Sequence, residues 1–403
     1  MIRIRGGVTA PRGFRAASAA AQVKPGTARD DLALVVSDRP ATAAGLFTTN
    51  RVKAAPVLWS EAVVRSRSPV RAVLVNSGNA NACTGASGEK AARASAAELA
   101  SRLGIAPREV LLASTGVIGV PFPVNRLLAA LPALTASLAP GGGAADRAAR
   151  AIMTTDTVPK QHAVRFRAGR RDYVAGGMAK GAGMIHPDLA TMLAVITTDA
   201  PLAPRQARRL LIAAAADSFE AITIDGDTST NDCVFLVANG AAGGSIAERS
   251  AAEKAAGEAI GAVAFALARA IAADGEGAKK LLEVCVTGAA SADDARRVAR
   301  TICGSMLVKT AVHGGDPNWG RVLAAAGRSG VALNPAALDL RIGGHLVARG
   351  GAAHPPGESA AARHLAGREI LMELTIGRGR GTARALGSDL SADYVRINAH
   401  YRS

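Results

Sequence analysis

Short β-branched and apolar runs alternate along this chain with longer Ala-rich stretches whose apolar positions recur at helical spacing. Residues 72–76, 195–198 and 233–238 are such runs and read as strands. Residues 89–103 carry apolar positions at helical spacing and stop at Gly104, and residues 204–219 open with a proline suited to a first helical turn. Ser291-Ala292-Asp293-Asp294 resembles a capping box that opens another helix. Residues 251–273 are rich enough in Ala to suggest low complexity, but their apolar spacing favours a buried helix. The alternation predicts a layered α/β protein, while the pattern alone leaves the topology open. Residues 140–143, Pro-Gly-Gly-Gly, are the clearest flexible connector, and residues 354–357 are a second turn-rich link.

Composition narrows the class. The 403 residues leave room for two or three domains, and 49% hydrophobic against 20% charged residues excludes low-hydropathy disorder. Aromatics are only 3%, so the core must be built from Ala, Val, Leu and Ile. The formal charge of +16 would suit a nucleic-acid binder, but the arginines are scattered and few aromatics could stack bases. A solvated basic surface that attracts anionic metabolites is expected, with no nucleic-acid or membrane partner. Cys83, Cys233, Cys285 and Cys303 are widely spaced, which reads as reduced thiols in a cytosolic protein. The seven histidines form no ligand-spaced cluster, so no metal site is expected. The Arg-rich start lacks an apolar core for a secretory signal; a transit peptide is the alternative to the default, the cytoplasm.

Residues 176–200 carry the most chemistry. A Gly-rich approach passes through His186-Pro187-Asp188 to Leu189-Ala190-Thr191 and then enters an apolar strand. A threonine hydroxyl is too weak an acid to ionise at neutral pH, but cutting the chain just before Thr191 would create an α-amine beside it. That amine, with a pKa near 8, can take the hydroxyl proton. Read alone, Thr191 is more often a β-former in a core strand than a nucleophile. Ser114-Thr115-Gly116 ends the apolar run 110–113, where a hydroxyl and a glycine amide could point two donors at one oxygen, or simply close a turn. The run 76–81 could line a site through its amides or form a turn. Asp225 to Asp232 suggests a calcium loop but lacks the glutamate such a loop needs, which excludes calcium. Glu276, between two glycines, could meet a substrate ammonium or be an exposed helix-end carboxylate.

Together these segments resemble the ornithine acetyltransferase (glutamate N-acetyltransferase) family of cyclic arginine biosynthesis. GGVTAPRGFRAA near the start, NSGNANACTG from Asn76, MTTDTVPK from Met153 and AKGAGMIHPDLATML from Ala179 carry the resemblance. DGDTSTND, DGEGAKK, LVKTAVHGGDPNWGR and the terminal DYVRINAHYRS extend it over nearly the whole chain. Departures are small: Asp188-Leu189 for the common Asn-Met, Lys279 for a usual Thr, and His313-Gly314 for a common Phe-Gly.

The resemblance implies a precursor that cleaves itself between Ala190 and Thr191, giving an α chain of residues 1–190 and a β chain of residues 191–403. It implies Thr191 as nucleophile and, through its own amine, as base, with Thr115 and Gly116 as the oxyanion pair. Thr157, Lys180, Thr191, Glu276, Asn398 and Ser403 match the positions that contact substrate. The implied fold is a four-layer α-β-β-α sandwich like that of the self-processing D-aminopeptidase, with a smaller C-terminal α/β lobe. The implied reaction moves acetyl from N-acetyl-L-ornithine to L-glutamate by a ping-pong route through acetyl-threonine. No cofactor is implied, although acetyl-CoA enters as a co-substrate in bifunctional members, and the chains are expected as a heterotetramer of two α and two β. The competing expectation is an amidase or aminopeptidase of the same fold, with water as acceptor.

Overall fold

The computed structural model describes residues 1–26, 29–186 and 192–400. The first ten strands are β1 (Ile2–Ile4), β2 (Phe14–Ala19), β3 (Leu32–Phe47), β4 (Val70–Asn76), β5 (Val110–Ser114), β6 (Lys160–Ala168), β7 (Arg171–Lys180), β8 (Leu193–Thr198), β9 (Ile222–Thr223) and β10 (Cys233–Ala238). All but β9 form one nine-stranded mixed sheet in the order β1-β6-β7-β8-β10-β3-β4-β5, with β2 also on β3. The remaining strands are β11 (Leu281–Ala289), β12 (Asp339–Ile342), β13 (His345–Arg349), β14 (Ala352–Ala353), β15 (Glu369–Thr375) and β16 (Gly381–Ser388). They join β9 in a second mixed sheet, β14-β13-β12-β15-β11-β16-β9.

Strand β3 organises the first sheet. Its first part pairs with β2 and β4, its register shifts between Val36 and Ala41, and residues 42–47 pair with β10. Pro40 lies in the shifted stretch, where a missing N–H costs no ladder bond. Alternation along the strand separates two cores: Ala33 and Val35 face one, while Leu32, Leu34 and Val36 face another. On β10, Phe235 and Val237 join the core of Ala33, whereas Val234 and Leu236 enter a third.

Eleven α-helices lie among the described residues. The first sheet is accompanied by α1 (Ala55–Ser66), α2 (Gly85–Leu103), α3 (Val124–Ala136), α4 (Gly142–Ala151), α5 (Pro204–Ala216) and α6 (Ala251–Ala273). The second sheet carries α7 (Ala292–Cys303), α8 (Met306–Gly314), α9 (Trp319–Gly327) and α10 (Glu358–Leu365), and α11 (Ala392–His400) closes the described chain. Helix α6 is long and apolar enough to cross a membrane by length and composition, but here its apolar residues pack on β6 and β7. Its N-cap Ser250 accepts the Glu253 N–H at 3.1 Å.

The strand expectations hold within a residue or two, and Ser291 caps α7 by accepting the Asp294 N–H. The expected connector at residues 140–143 is shorter than read. Helix α4 already begins at Gly142, because Ala144, Ala145, Ala148 and Ala149 behind it are buried against β2. The parts of the chain on either side of residues 187–191 are not separate domains. Strands β8 and β10 are inserted between β7 and β3 of the same sheet.

Leu267 of α6 is 1% exposed within the third core. Leu267→Ala is expected to cost about 3 kcal/mol, as buried Leu truncations do, seen as a lowered urea midpoint; an unchanged midpoint would contradict this packing.

Candidate active site

A parallel strand pair sets the first wall of the site. At the ends of β4 and β5, Asn76 stands opposite Ser114. The Ser114 hydroxyl donates to Asn76 Oδ1 at 2.5 Å, Asn76 Nδ2 donates to Asn79 O at 2.8 Å, and the Thr115 N–H donates to Asn76 O at 3.0 Å. Asn231 Nδ2 bridges the loop to the strand by donating to Ala80 O at 2.6 Å and Ser114 O at 2.8 Å. The polar run 76–81 is therefore a brace that fixes the turn leaving β5. Gly116 adopts φ +127°, and a Cβ there would stand 2.3 Å from Gly78 C, so only glycine fits. Among the described residues neither the Gly116 N–H nor the Thr115 hydroxyl proton has an acceptor. Two donors are thus left over at one place.

The second wall comes from the end of β7 and the loop after it. Lys180 ends β7 with 3% exposure, and its Nζ lies 3.4 Å from Thr115 Oγ1. Burial pushes its pKa down, while Asp156, Glu276 and Asp232 oppose that and Lys160 adds to it. Asp156 anchors the network: its Oδ1 accepts the Gly181 N–H and Lys160 Nζ, both at 2.7 Å. Lys160 also reaches Asp274 Oδ2 at 2.6 Å. Beyond Gly181 the loop is pinned by Asp225, which accepts the N–H groups of Met184 and Ile185 at 2.5 and 2.9 Å. That pair of hydrogen bonds holds Met184 at φ +57°. Asp225 thus has a structural role in this loop. Where the described chain resumes, Met192 N–H donates to Asp232 Oδ1 at 2.9 Å, and Asp232 Oδ2 is buried with no partner among the described residues.

The third wall belongs to Glu276 and α11. A Cβ on Gly183 would meet Glu276 Oε2 at 2.4 Å, so the glycine lets this half-buried carboxylate come in. Asn398 Nδ2 donates to the same carboxylate at 2.7 Å. Helix α11 is held above by Ser391 Oγ donating to Gly277 O at 2.7 Å and by Lys279 pairing with Asp393 at 3.0 Å.

One cavity of about 70 Å³ brings Thr115, Gly116, Lys180, Glu276 and Asn398 together. Thr157 does not line it: its hydroxyl and N–H are bonded to Asp274, behind Lys160. Thr154 and Thr155 line the cavity instead, as do Ser229 and Asn231, none of which sequence reasoning singles out. The signal for all four is present in the motifs MTTDTVPK and DGDTSTND. Ala190, Thr191 and Ser403 lie outside the described residues. Among the described residues no group of three or more His, Cys, Asp or Glu could hold a metal ion. Chemically, the cavity offers two oriented neutral donors, one buried ammonium and a carboxylate. That set can bind a zwitterion and stabilise an oxyanion.

Comparison with known proteins gives consistent matches. The ArgJ family model matches residues 15–403. The arginine biosynthesis bifunctional protein ArgJ of Symbiobacterium thermophilum is 50% identical over 402 residues, covering 99% of each chain. A crystal structure of arginine biosynthesis bifunctional protein argJ from Bacillus halodurans is 38% identical with a TM-score of 0.50, covering 51% of this chain and 98% of its own. An ornithine acetyltransferase from Mycobacterium tuberculosis, solved as a complex with ornithine, is 46% identical, with a TM-score of 0.43. It covers 46% of this chain and 96% of its own.

The Asp156 network has a signature in acid. Burial alone would raise the Asp156 pKa, but Lys180 and Lys160 outweigh it and hold the carboxyl at about 2, below its ordinary 3.8. The sign comes from the depressed folded value: the stabilisation is complete above about pH 4 and is lost as pH falls toward 2. Asp156→Asn is expected to cost roughly 3 kcal/mol at pH 7, with the deficit shrinking toward pH 2, measured by urea melts across that range. A deficit independent of pH would contradict the network.

Proposed function

The chain belongs to the ArgJ family, and from that premise we propose that it is a glutamate N-acetyltransferase of arginine biosynthesis. It passes the acetyl group of N-acetyl-L-ornithine to L-glutamate through an ester on Thr191. The observation that carries this reading is the pair of unused donors, the Thr115 hydroxyl and the Gly116 N–H, in one cavity with Lys180, Glu276 and Asn398.

The precursor cuts itself between Ala190 and Thr191. The freed α-amine of Thr191 takes the proton from its own hydroxyl, whose oxygen attacks the acetyl carbonyl of acetylornithine. The oxyanion that forms accepts from Thr115 and Gly116; losing one such donor costs roughly 3–4 kcal/mol of barrier in comparable sites. As the tetrahedral adduct collapses, the C–N bond breaks and the amine hands its proton to the departing ornithine nitrogen. The acetyl ester remains on Thr191. Glutamate then attacks the ester with its α-amine, the Thr191 oxygen leaves and recovers its proton, and N-acetylglutamate departs. An amide is exchanged for an amide, so no further energy source is needed. Acetyl-CoA as a second donor reaches the same ester with its thiol as leaving group.

Glu276 takes the side-chain ammonium of ornithine and Lys180 the substrate carboxylate, Asn398 closes the cavity from α11, and Ser403 is a further substrate contact. Thr154 and Thr155 contact the substrate directly, and Thr157 acts from behind through Asp274 and Lys160. The α chain (1–190) and β chain (191–403) stay together because strands β8 and β10 of one are hydrogen-bonded between β7 and β3 of the other. A relative whose solved chain matches 51% of this one over 98% of its own length has the size expected of one such half. Two α and two β chains complete the assembly, in the cytoplasm. The cores on both faces of β3 support a four-layer α-β-β-α arrangement like that of the self-processing aminopeptidases, with the second sheet as the smaller lobe.

Thr191→Ala is expected to remain a single full-length chain with no acetyl transfer, and Thr191→Ser to split and keep measurable transfer, followed on denaturing gels and by N-acetylglutamate formation. An active Thr191→Ala protein would sink the nucleophile. Acetate released by the wild type at full rate without glutamate would point instead to an amidase.

A further inference from the structure

A threonine hydroxyl has one proton to donate and lone pairs with which to accept. Whether Thr115 presents its proton or its lone pairs to the cavity depends on what stands on its other side. Lys180 Nζ is there, 3.4 Å from Thr115 Oγ1. A lysine ammonium has three donors and no acceptor, so Thr115 must accept in that contact. Its own proton is then left for a different partner. No described residue takes it, and the cavity that Thr115 lines with Gly116 is where it can go.

We infer that Lys180 is a positioning residue for the oxyanion hole: by donating to Thr115 Oγ1 it turns the Thr115 hydroxyl proton into the cavity, beside the Gly116 N–H. This rests on the acetyl-transfer reading above, and it adds to Lys180 a role exerted through Thr115. The surroundings fit the task. A neutral lysine has a lone pair, could accept the Thr115 proton, and would then leave the oxyanion facing oxygen lone pairs. Burial and Lys160 push Lys180 toward that neutral form, and Asp156, Glu276 and Asp232 oppose it. Asp232, whose Oδ2 is buried with no partner among the described residues, is itself pushed toward its neutral form by burial, with Lys180 opposing that. Lys180 itself sits at the end of β7, in register with Leu193 of β8, so its backbone is fixed where the chain leaves the sheet and where it returns.

The test is a double-mutant cycle with Thr115→Val and Lys180→Met, each rate taken per split molecule as counted on a denaturing gel. Thr115→Val is expected to lower kcat by roughly 10²- to 10³-fold, as loss of one oxyanion donor does. Lys180→Met is expected to lower kcat by a comparable factor and to raise KM. In the Thr115→Val background the same substitution is expected to change kcat by less than about threefold, since the hydroxyl it would aim is gone. Multiplying kcat effects, or a Lys180→Met change confined to KM, would overturn the role. Lys180→Gln keeps a donor without the charge and is expected to recover part of the kcat lost in Lys180→Met but little of the KM. Should neither Lys180 variant fold, the ¹⁵N signal of Lys180 Nζ is compared between wild type and Thr115→Val: a shift supports the hydrogen bond and an unmoved signal overturns it. Wild type that never transfers acetyl would end the reading of the reaction itself, whereas normal wild-type transfer with independent effects would end only this role of Lys180.

Discussion

The antiparallel pairing of β7 with β8, where Lys180 stands opposite Leu193, is the constraint on which the rest of the structure depends. It ties both ends of the segment that holds the proposed scissile bond to one sheet. A chain to be cut there must keep its halves in place without the covalent link, and a sheet in which β8 and β10 lie between β7 and β3 does so. The same pairing fixes the Lys180 side chain at the sheet's end, where β5 delivers Thr115 and Gly116. Structural continuity and chemistry are therefore set by the same strand ends.

Around that point the fold spends polar groups on bracing backbone, so that few are left over. Asn76, Asn79 and Asn231 hold the turn after β5, and Asp225 holds Met184 and Ile185. Asp156 and Asp274 clamp Lys160. Among the described residues beside Lys180, the Thr115 proton, the Gly116 N–H and one oxygen of Asp232 are left without partners. Buried polar groups are normally paired, so two unused donors side by side in one cavity mark a site built for a ligand or a developing charge.

Strands β4, β8 and β10 were legible because each is a continuous β-branched run buried on both faces. Strand β3 was not, because Ser37-Asp38-Arg39-Pro40 interrupts its apolar pattern where it changes partners. Gly142 and Gly143 read as a connector although the alanines behind them pull the helix back over them. In the site, Thr115 and Gly116 could be found from their place at the end of an apolar run. Glu276 could be singled out as a carboxylate between two glycines, whereas Lys180 and Asn398 were reachable only through resemblance to a known motif. Thr157 illustrates the limit of that route: within MTTDTVPK the loop turns Thr154 and Thr155 into the cavity and Thr157 onto Asp274, a choice that depends on a residue 117 positions away. The Lys160–Asp274 ion pair joins β6 to the end of α6, and no local pattern announces it.

The central claim is that Thr191 begins a second chain and carries the acetyl group. An intact mass spectrum of the denatured wild-type protein, taken with and without N-acetylornithine, tests it most directly. The account predicts two polypeptides meeting at Ala190 and Thr191, the one that begins at Thr191 gaining a single acetyl group with the donor and losing it on addition of glutamate. One uncut chain that never acquires the acetyl group would contradict it.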